Sequence, residues 1–288
     1  MKEETRISSP GKVNLFLDLT RQREDGYHEL FTLFVPTENL KDELIIRSAS
    51  EMRILCEHPG VPCGPANLVY KAAELFAEAS AIDDRWEIEI LKKLPVAGGM
   101  GGGSSDAGAT LLALNERYDF PLTKDKLAEL ALRIGADVPF FLNPKPSLAR
   151  GVGEELEEIF LPKQYLVLVT FDFPISAIWA YKNKSCFLDV MKDQQEAIYS
   201  GEALKTAEGI APLVYNGLAI SLYKKFPILG MVRPALSDSG ALAAALSGSG
   251  PPVFALCSSQ KQAEEVLEKF TAQDLVPEES CYIVSTEA

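Results

Sequence analysis

The apolar positions of this chain follow two periods, and each change of period marks an element. Residues 13–19, VNLFLDL, alternate: Val13, Leu15, Leu17 and Leu19 share one face of a predicted strand, and Asn14, Phe16 and Asp18 the other, with Lys12 on the Asn14 side. Asp25-Gly26 then signals a tight turn. Strands are predicted for LFTLFVP (30–36), ELIIRS (43–48) and MRILCE (52–57). Apolar residues at 68, 69, 72, 75, 76 and 79 have the spacing of one helix face. WEIEILKKLP (86–95) alternates again and runs straight into PVAGGMGGGSSDAG (95–108).

Beyond that loop, SDAGATLLALNERY (105–118) and LTKDKLAELALRIG (122–135) read as helices, the second with Thr123 as N-cap and Gly135 as its stop. ADVPFFLNPKP (136–146) is a proline-punctuated connector, and the Gly-x-Gly of LARGVGEELEEI (148–159) a tight turn. The second half predicts a strand at QYLVLVTF (164–171), helices near 196–208 and 216–225, a strand at PPVFALC (251–257), a helix at QKQAEEVLEKF (260–270) and a strand at CYIVST (281–286). Strands and helices interleave without βαβ regularity, so the predicted class is α+β, with domains at 1–155 and 156–288.

Composition narrows the choice of partners. With 288 residues, 47% hydrophobic and 24% charged, the chain can bury a full core. A net charge of −13 argues against nucleic acid and anionic membrane, which select basic surfaces, but not against a small anion in a locally positive pocket. No window approaches the ~20 apolar residues of a membrane span. MKEETRISSP lacks the apolar core of a signal or transit peptide, so a cytoplasmic location is expected. The five cysteines form no C-x-x-C pair and are joined by only two histidines, so reduced, mostly buried thiols are expected rather than a zinc site.

The candidate chemistry centres on the glycine loop. Gly98, Gly99, Gly101, Gly102 and Gly103 lie between a strand and a helix with no polar run, which makes a poor flexible linker. Glycine there means unusual φ/ψ or a backbone that something approaches closely. The helix that follows offers free N–H groups and the positive end of its dipole. Together these make an anion cradle, with phosphate the usual guest; a purely structural turn is the alternative. Ser104 stands where a P-loop needs lysine and where the dinucleotide fingerprint needs glycine, so neither pattern applies. Phosphoryl transfer at such a loop would also need a cation, a metal and a group to orient the acceptor hydroxyl. Ser104 and Ser105 offer hydroxyls to phosphate or magnesium, or cap the helix. Lys12 is the candidate cation, or else a solvated strand-end lysine. Asp137, flanked by apolar residues and a proline, is the candidate base, or else an Asx-turn residue. A second glycine loop at 247–250 is either a turn between strands or part of a cleft between two lobes.

Three segments in order, SPGKVNLFLDL (9–19), LPVAGGMGGGSSDAGATLLALN (94–115) and LSGSGPPVFAL (246–256), resemble the three motifs of the GHMP kinase superfamily. Met100 replaces the usual leucine of the second motif, and an extra glycine precedes its serines. The resemblance implies a two-lobed α+β kinase with its active site in the interlobe cleft, ATP as donor and Mg2+ as the ATP complex, its metal ligands unassigned. It implies Lys12 and Asp137 as the catalytic pair, with Asp137 orienting or deprotonating the acceptor hydroxyl. Pro95, Val96, Ala97, Gly98, Gly99, Met100, Gly101, Gly102, Gly103, Ser104 and Ser105 match the ATP phosphate loop, and residues 248–250 the third loop. GKVNLFLDLTRQREDGYHEL (11–30), GGMGGGSSDAG (98–108) and GADVPFFL (135–142) look like members acting on a small molecule, a cytidine diphosphate-linked methylerythritol. Asn14, Tyr27 and His28 then match substrate-binding positions, with Tyr181 a candidate to stack on the base. The implied reaction moves the γ-phosphate of ATP to the 2-hydroxyl of that substrate. One rival is another small-molecule kinase of the superfamily, which DGYHEL (25–30) disfavours; a second is a non-catalytic nucleotide-binding regulator, which intact Lys12, Asp137 and both serines disfavour.

Overall fold

The computed structural model describes residues 4–24, 26, 28–96, 99–184 and 192–288. The chain gathers into two compact units, each discontinuous in sequence: Met1–Gly11, Leu40–Val96 and Gly101–Pro144 form the first, and Lys12–Asn39, Ala97–Met100 and Lys145–Ala288 the second. Two long paired strands, β1 (Glu4–Gln22) and β2 (His28–Ala49), contribute to both.

In the first unit, β3 (Arg53–Leu55) leads through a loop to α1 (Leu68–Ser80), then to β4 (Arg85–Leu91), α2 (Gly102–Arg117) and α3 (Lys124–Ile134). β4 runs antiparallel to the end of β2, from Glu43↔Leu91 to Ala49↔Arg85, and parallel to β3. Its alternation works as predicted: Trp86, Ile88 and Ile90 are buried against Phe76 of α1 and Leu111 and Leu114 of α2. Glu89 on the opposite face pairs with Arg47 at 2.9 Å. Asn67 caps α1, its side chain accepting from Val69 N. Thr123 caps α3 by accepting from Lys126 N, and this cap is the one the sequence predicts. Gly135 ends α3 in an extended conformation rather than a left-handed one.

The predicted strands at 30–36 and 43–48 are one continuous strand, β2. The polar residues between them read as a break, but Thr37 and Asp42 are buried, and Asp42 serves as an acceptor for backbone of another segment. α2 also starts earlier than predicted. Gly101, at φ +72°, turns the chain, and Gly102 and Gly103 are the first helical residues.

In the second unit, β5 (Ser147–Arg150) and β6 (Glu155–Glu158) make a hairpin beside β2, its turn built on Gly151 (φ +67°) and Gly153 (φ +115°). β7 (Tyr165–Val169) is followed by α4 (Ala177–Lys182), α5 (Lys192–Ser200), the single turn α6 (Ala207–Ile210) and β8 (Tyr215–Asn216), which lies parallel to β1. α7 (Ala219–Lys225), α8 (Pro227–Asp238), β9 (Ala243–Leu246), β10 (Val253–Cys257), α9 (Gln260–Thr271) and β11 (Cys281–Ser285) complete the chain. β11, β7, β10 and β9 form an antiparallel sheet in that order. The helix predicted at 196–208 is broken after Ser200 by Gly201 in a left-handed conformation. α8 carries two prolines, which hid it from the sequence reading: Pro227 at its start and Pro234 inside it.

The expectation of mostly buried thiols is corrected. Of the described cysteines only Cys257 is buried; Cys56 and Cys281 are half-buried, and Cys63 is exposed on the loop before α1. All four are free thiols. No helix among the described residues is long and apolar enough to cross a membrane.

Candidate active site

Lys12 lies well inside β1, not at a strand end, and is only 5% exposed, which removes the solvated-lysine reading. Its neighbours on the strand, 13–19, are buried on both faces, so the polar groups of the second face must be satisfied internally. They are. Lys12 Nζ donates to Asn14 Oδ1 at 2.7 Å and sits 4.9 Å from the centroid of the Phe34 ring. Asn14 Nδ2 donates to Thr32 Oγ1 at 2.8 Å, and Thr32 Oγ1 in turn donates to Phe16 O at 2.6 Å. Asn14 N donates to Ser247 Oγ at 3.2 Å, and this ties the first motif to the second glycine loop. Asn14 is thereby fixed in rotamer, and with it the ammonium.

The start of the first glycine loop joins the same cluster. Lys12 N donates to Met100 O at 2.9 Å. A side chain at Gly99 (φ +58°) would lie 2.8 Å from Gly250 O and 3.0 Å from Ser247 O; one at Gly248 would lie 3.2 Å from both Asn14 Oδ1 and Gly99 O. The two glycine loops therefore touch backbone to backbone, and these glycines are explained by packing within the second unit. Ala97 and Gly98 lie outside the described residues, as does Tyr27.

The first unit holds the helix mouth. Pro95 and Val96 are half-buried, and the N-cap of α2 is Gly101, which offers no side-chain cap. Ser104 and Ser105 are in the third and fourth helical positions, so neither is the N-cap residue. Ser105 Oγ accepts from Ser9 Oγ at 2.7 Å and is buried, whereas Ser104 remains half-buried. The first N–H groups of α2 are thus uncapped at the positive end of its dipole. Gly103 is the most telling residue. It is exposed, and the nearest protein atom to a β-carbon placed there is Leu68 Cδ1 at 3.8 Å. Nothing among the described residues demands glycine at that point, although glycine costs a helix about 0.5–1 kcal/mol relative to alanine.

Asp137 is half-buried in the turn between α3 and a 3-10 turn, Pro139–Leu142. Buried Phe140 and Phe141 anchor that turn, and Phe141 Cβ lies 3.0 Å from where a β-carbon on Gly108 of α2 would stand. Gly108 lets the Asp137 segment pack directly on α2. In the second unit, His28 and Tyr181 present nearly parallel rings, with centroids 6.2 Å apart and planes at 16°. Burial, then the charge of Lys184, holds the His28 ring below its ordinary pKa of 6.5, so it is neutral at pH 7.

The sequence reading passed over a buried ion cluster beneath the loop. Lys92 follows β4 and looks like half of a solvated Lys-Lys pair, but its side chain is buried and paired with both Asp42 and Asp106. No local signal marks it, because its partners lie 50 residues before and 14 residues after it.

The chain belongs to the GHMP kinases and is a small-molecule kinase. The family model described as GHMP kinases N terminal domain matches residues 67–144, and that described as GHMP kinases C terminal matches residues 202–274. The chain is 35% identical over 268 residues to 4-diphosphocytidyl-2-C-methyl-D-erythritol kinase of Geobacter metallireducens, covering 92% of this chain and 93% of that one. It is 38% identical to the protein of the same name from Pelotomaculum thermopropionicum, covering 91% and 92%. A crystal structure of 4-(cytidine 5'-diphospho)-2C-methyl-D-erythritol kinase superposes with a TM-score of 0.80 at 33% identity, over 98% of this chain and 99% of that one. Homoserine kinase from Cytophaga hutchinsonii shares the fold, with a TM-score of 0.77 at 19% identity over 100% and 96% of the two chains.

Proposed function

We propose that this chain transfers the γ-phosphate of ATP to the 2-hydroxyl of 4-diphosphocytidyl-2-C-methyl-D-erythritol, giving ADP and the 2-phosphate in the non-mevalonate route to isoprenoid precursors. Gly103 carries the reading. Among the described residues nothing crowds this exposed residue in the first turn of an uncapped helix, and a phosphate has an obvious use for the open space. The names borne by relatives at 35% and 38% identity supply the acceptor.

In this reading residues 95–105 cradle the triphosphate, and residues 248–250 back the loop. Asp137 orients the acceptor hydroxyl and takes its proton, while Lys12 steadies the developing charge. Asn14 and His28, with Tyr27, receive the cytidine diphosphate; the neutral His28 ring hydrogen-bonds the base edge, and Tyr181 offers a face to stack on. Residues 1–155 serve as the ATP-binding domain and 156–288 as the C-terminal domain. Magnesium would arrive on ATP, since it keeps most of its ligands from phosphate and water, and the Ser104 hydroxyl would hold it from the protein side. When bound, the ion neutralises phosphate charge.

The test is ADP release in a coupled assay. ADP should appear in proportion to added 4-diphosphocytidyl-2-C-methyl-D-erythritol and not with homoserine or mevalonate. Turnover of either of those alcohols in place of the cytidine compound would refute the assignment.

A further inference from the structure

Beneath the loop, one buried ammonium joins the chain entering it to the helix leaving it. Asp42 Oδ1 accepts from Lys93 N at 2.6 Å and from Leu94 N at 2.7 Å, which pins the backbone just before Pro95. Asp42 Oδ2 accepts from Lys92 Nζ, which also reaches Asp106 Oδ2 at 3.4 Å in the second turn of α2. The cluster is dry, with side-chain exposures of 8% for Lys92, 0% for Asp42 and 4% for Asp106. Lys92 Nζ also lies 3.2 Å from where a β-carbon on Gly102 would stand. Gly102 has no positive φ, and what a side chain there would crowd is the ammonium beneath it. Burial pulls the ammonium pKa down, but Asp106 and Asp42 outweigh it and hold Lys92 charged.

We infer that Lys92 is a positioning residue for the nucleotide: clamped between Asp42 and Asp106, it braces the two ends of the glycine loop and sets the first turn of α2 at the height at which its N–H groups meet phosphate. The inference rests on the proposed phosphate site at residues 95–105.

Lys92→Met alone would strand two carboxylates in a dry site, so the primary variant is Lys92→Met with Asp106→Asn, which keeps Asp42 on its two backbone donors. The expected result is a folded enzyme with KM for ATP raised about tenfold or more and KM for the cytidine substrate within about twofold. An unchanged KM for ATP, or equal losses for both substrates, overturns the inference. Gly102→Ala is the second variant and the safeguard if the first does not fold. As a helix former alanine should only stabilise α2, whereas here its methyl group displaces the ammonium and raises KM for ATP. A Gly102→Ala enzyme that binds ATP as the native one does also overturns it. Gly103→Val separates the two ideas. It should block ATP in every case if phosphate sits at the helix mouth; an unaffected KM for ATP in that variant brings down the site itself, not merely its brace.

Discussion

At the scale of single residues, the proposed chemistry turns on two side chains whose surroundings differ. Asp137 is half-buried on a turn that buried phenylalanines hold in place. Asp137→Asn keeps the shape and removes the base, so kcat should fall by about 10²–10⁴ with little change in either KM. Near-native turnover, measured by ADP release, would take Asp137 out of the proton transfer. His28 is different, because its part is recognition. Its ring is held below the ordinary 6.5, mainly by burial, so it stays neutral to lower pH than a free histidine. KM for the cytidine substrate should be level from pH 8 down to about 6.5 and rise on further acidification, and His28→Gln should flatten that rise. A KM that climbs as pH drops from 8 to 7 would contradict the neutral ring. Lys12 was legible as a candidate from its place in a motif, but its burial was not. Only the fold shows that Asn14, itself held by Thr32, and Phe34 close around it.

At the scale of elements, helix α2 decides most of the site. The sequence predicts its apolar face and its glycine-rich approach, but not that Gly102 and Gly103 belong to the helix. Propensity argues against two glycines in a first turn; Gly101 in the left-handed region supplies the turn that propensity cannot. Gly108 adds a second consequence. A side chain there would meet Phe141 Cβ at 3.0 Å and Phe141 C at 3.3 Å, pushing the Asp137 segment off the helix. Gly108→Val should lower stability by about 1–3 kcal/mol, as overpacking does, and reduce kcat more than either KM. Denaturant melts together with steady-state kinetics would show it, and an unchanged kcat would break the link between Gly108 and Asp137. The same scale explains two misreadings. β2 looked like two strands because Asp42 reads as a loop residue, and α8 went unseen because prolines read as breaks.

For the whole molecule, the buried cluster makes stability depend on pH. Burial, with Asp42 adding to it and Lys92 and the Ser9 hydroxyl opposing, pushes the Asp106 carboxyl up from 3.8 to about 7. Across the packed elements the groups facing it are therefore Lys92, Asp42, Ser9 and, more distantly, Cys56. A carboxyl raised in the folded state favours folding while it is protonated. Its contribution is complete below the ordinary pKa and disappears as pH climbs through about 7. The native protein should therefore lose more thermal stability between pH 5 and 8 than Asp106→Asn does, as scanning calorimetry would report. Parallel curves for the two proteins would contradict the raised carboxyl. The charges that the two proteins share add the same self-repulsion to both and drop out of that comparison.

The sequence by itself determined whatever depends on near neighbours along the chain: the strand and helix periods, the caps at Thr123 and Gly135, and a glycine loop before a helix, which is where a phosphate is expected. It also carried the motifs that mark a GHMP kinase, because short motifs survive as contiguous letters. Tertiary structure alone decided which polar residues are dry, since burial depends on what packs against a residue from elsewhere. Lys12, Asp42 and Lys92 look like ordinary surface charges as letters and are buried in the fold. It also decided what surrounds each glycine: Gly250 O against Gly99, an ammonium beneath Gly102, and beside Gly103 no described atom nearer than Leu68 Cδ1 at 3.8 Å.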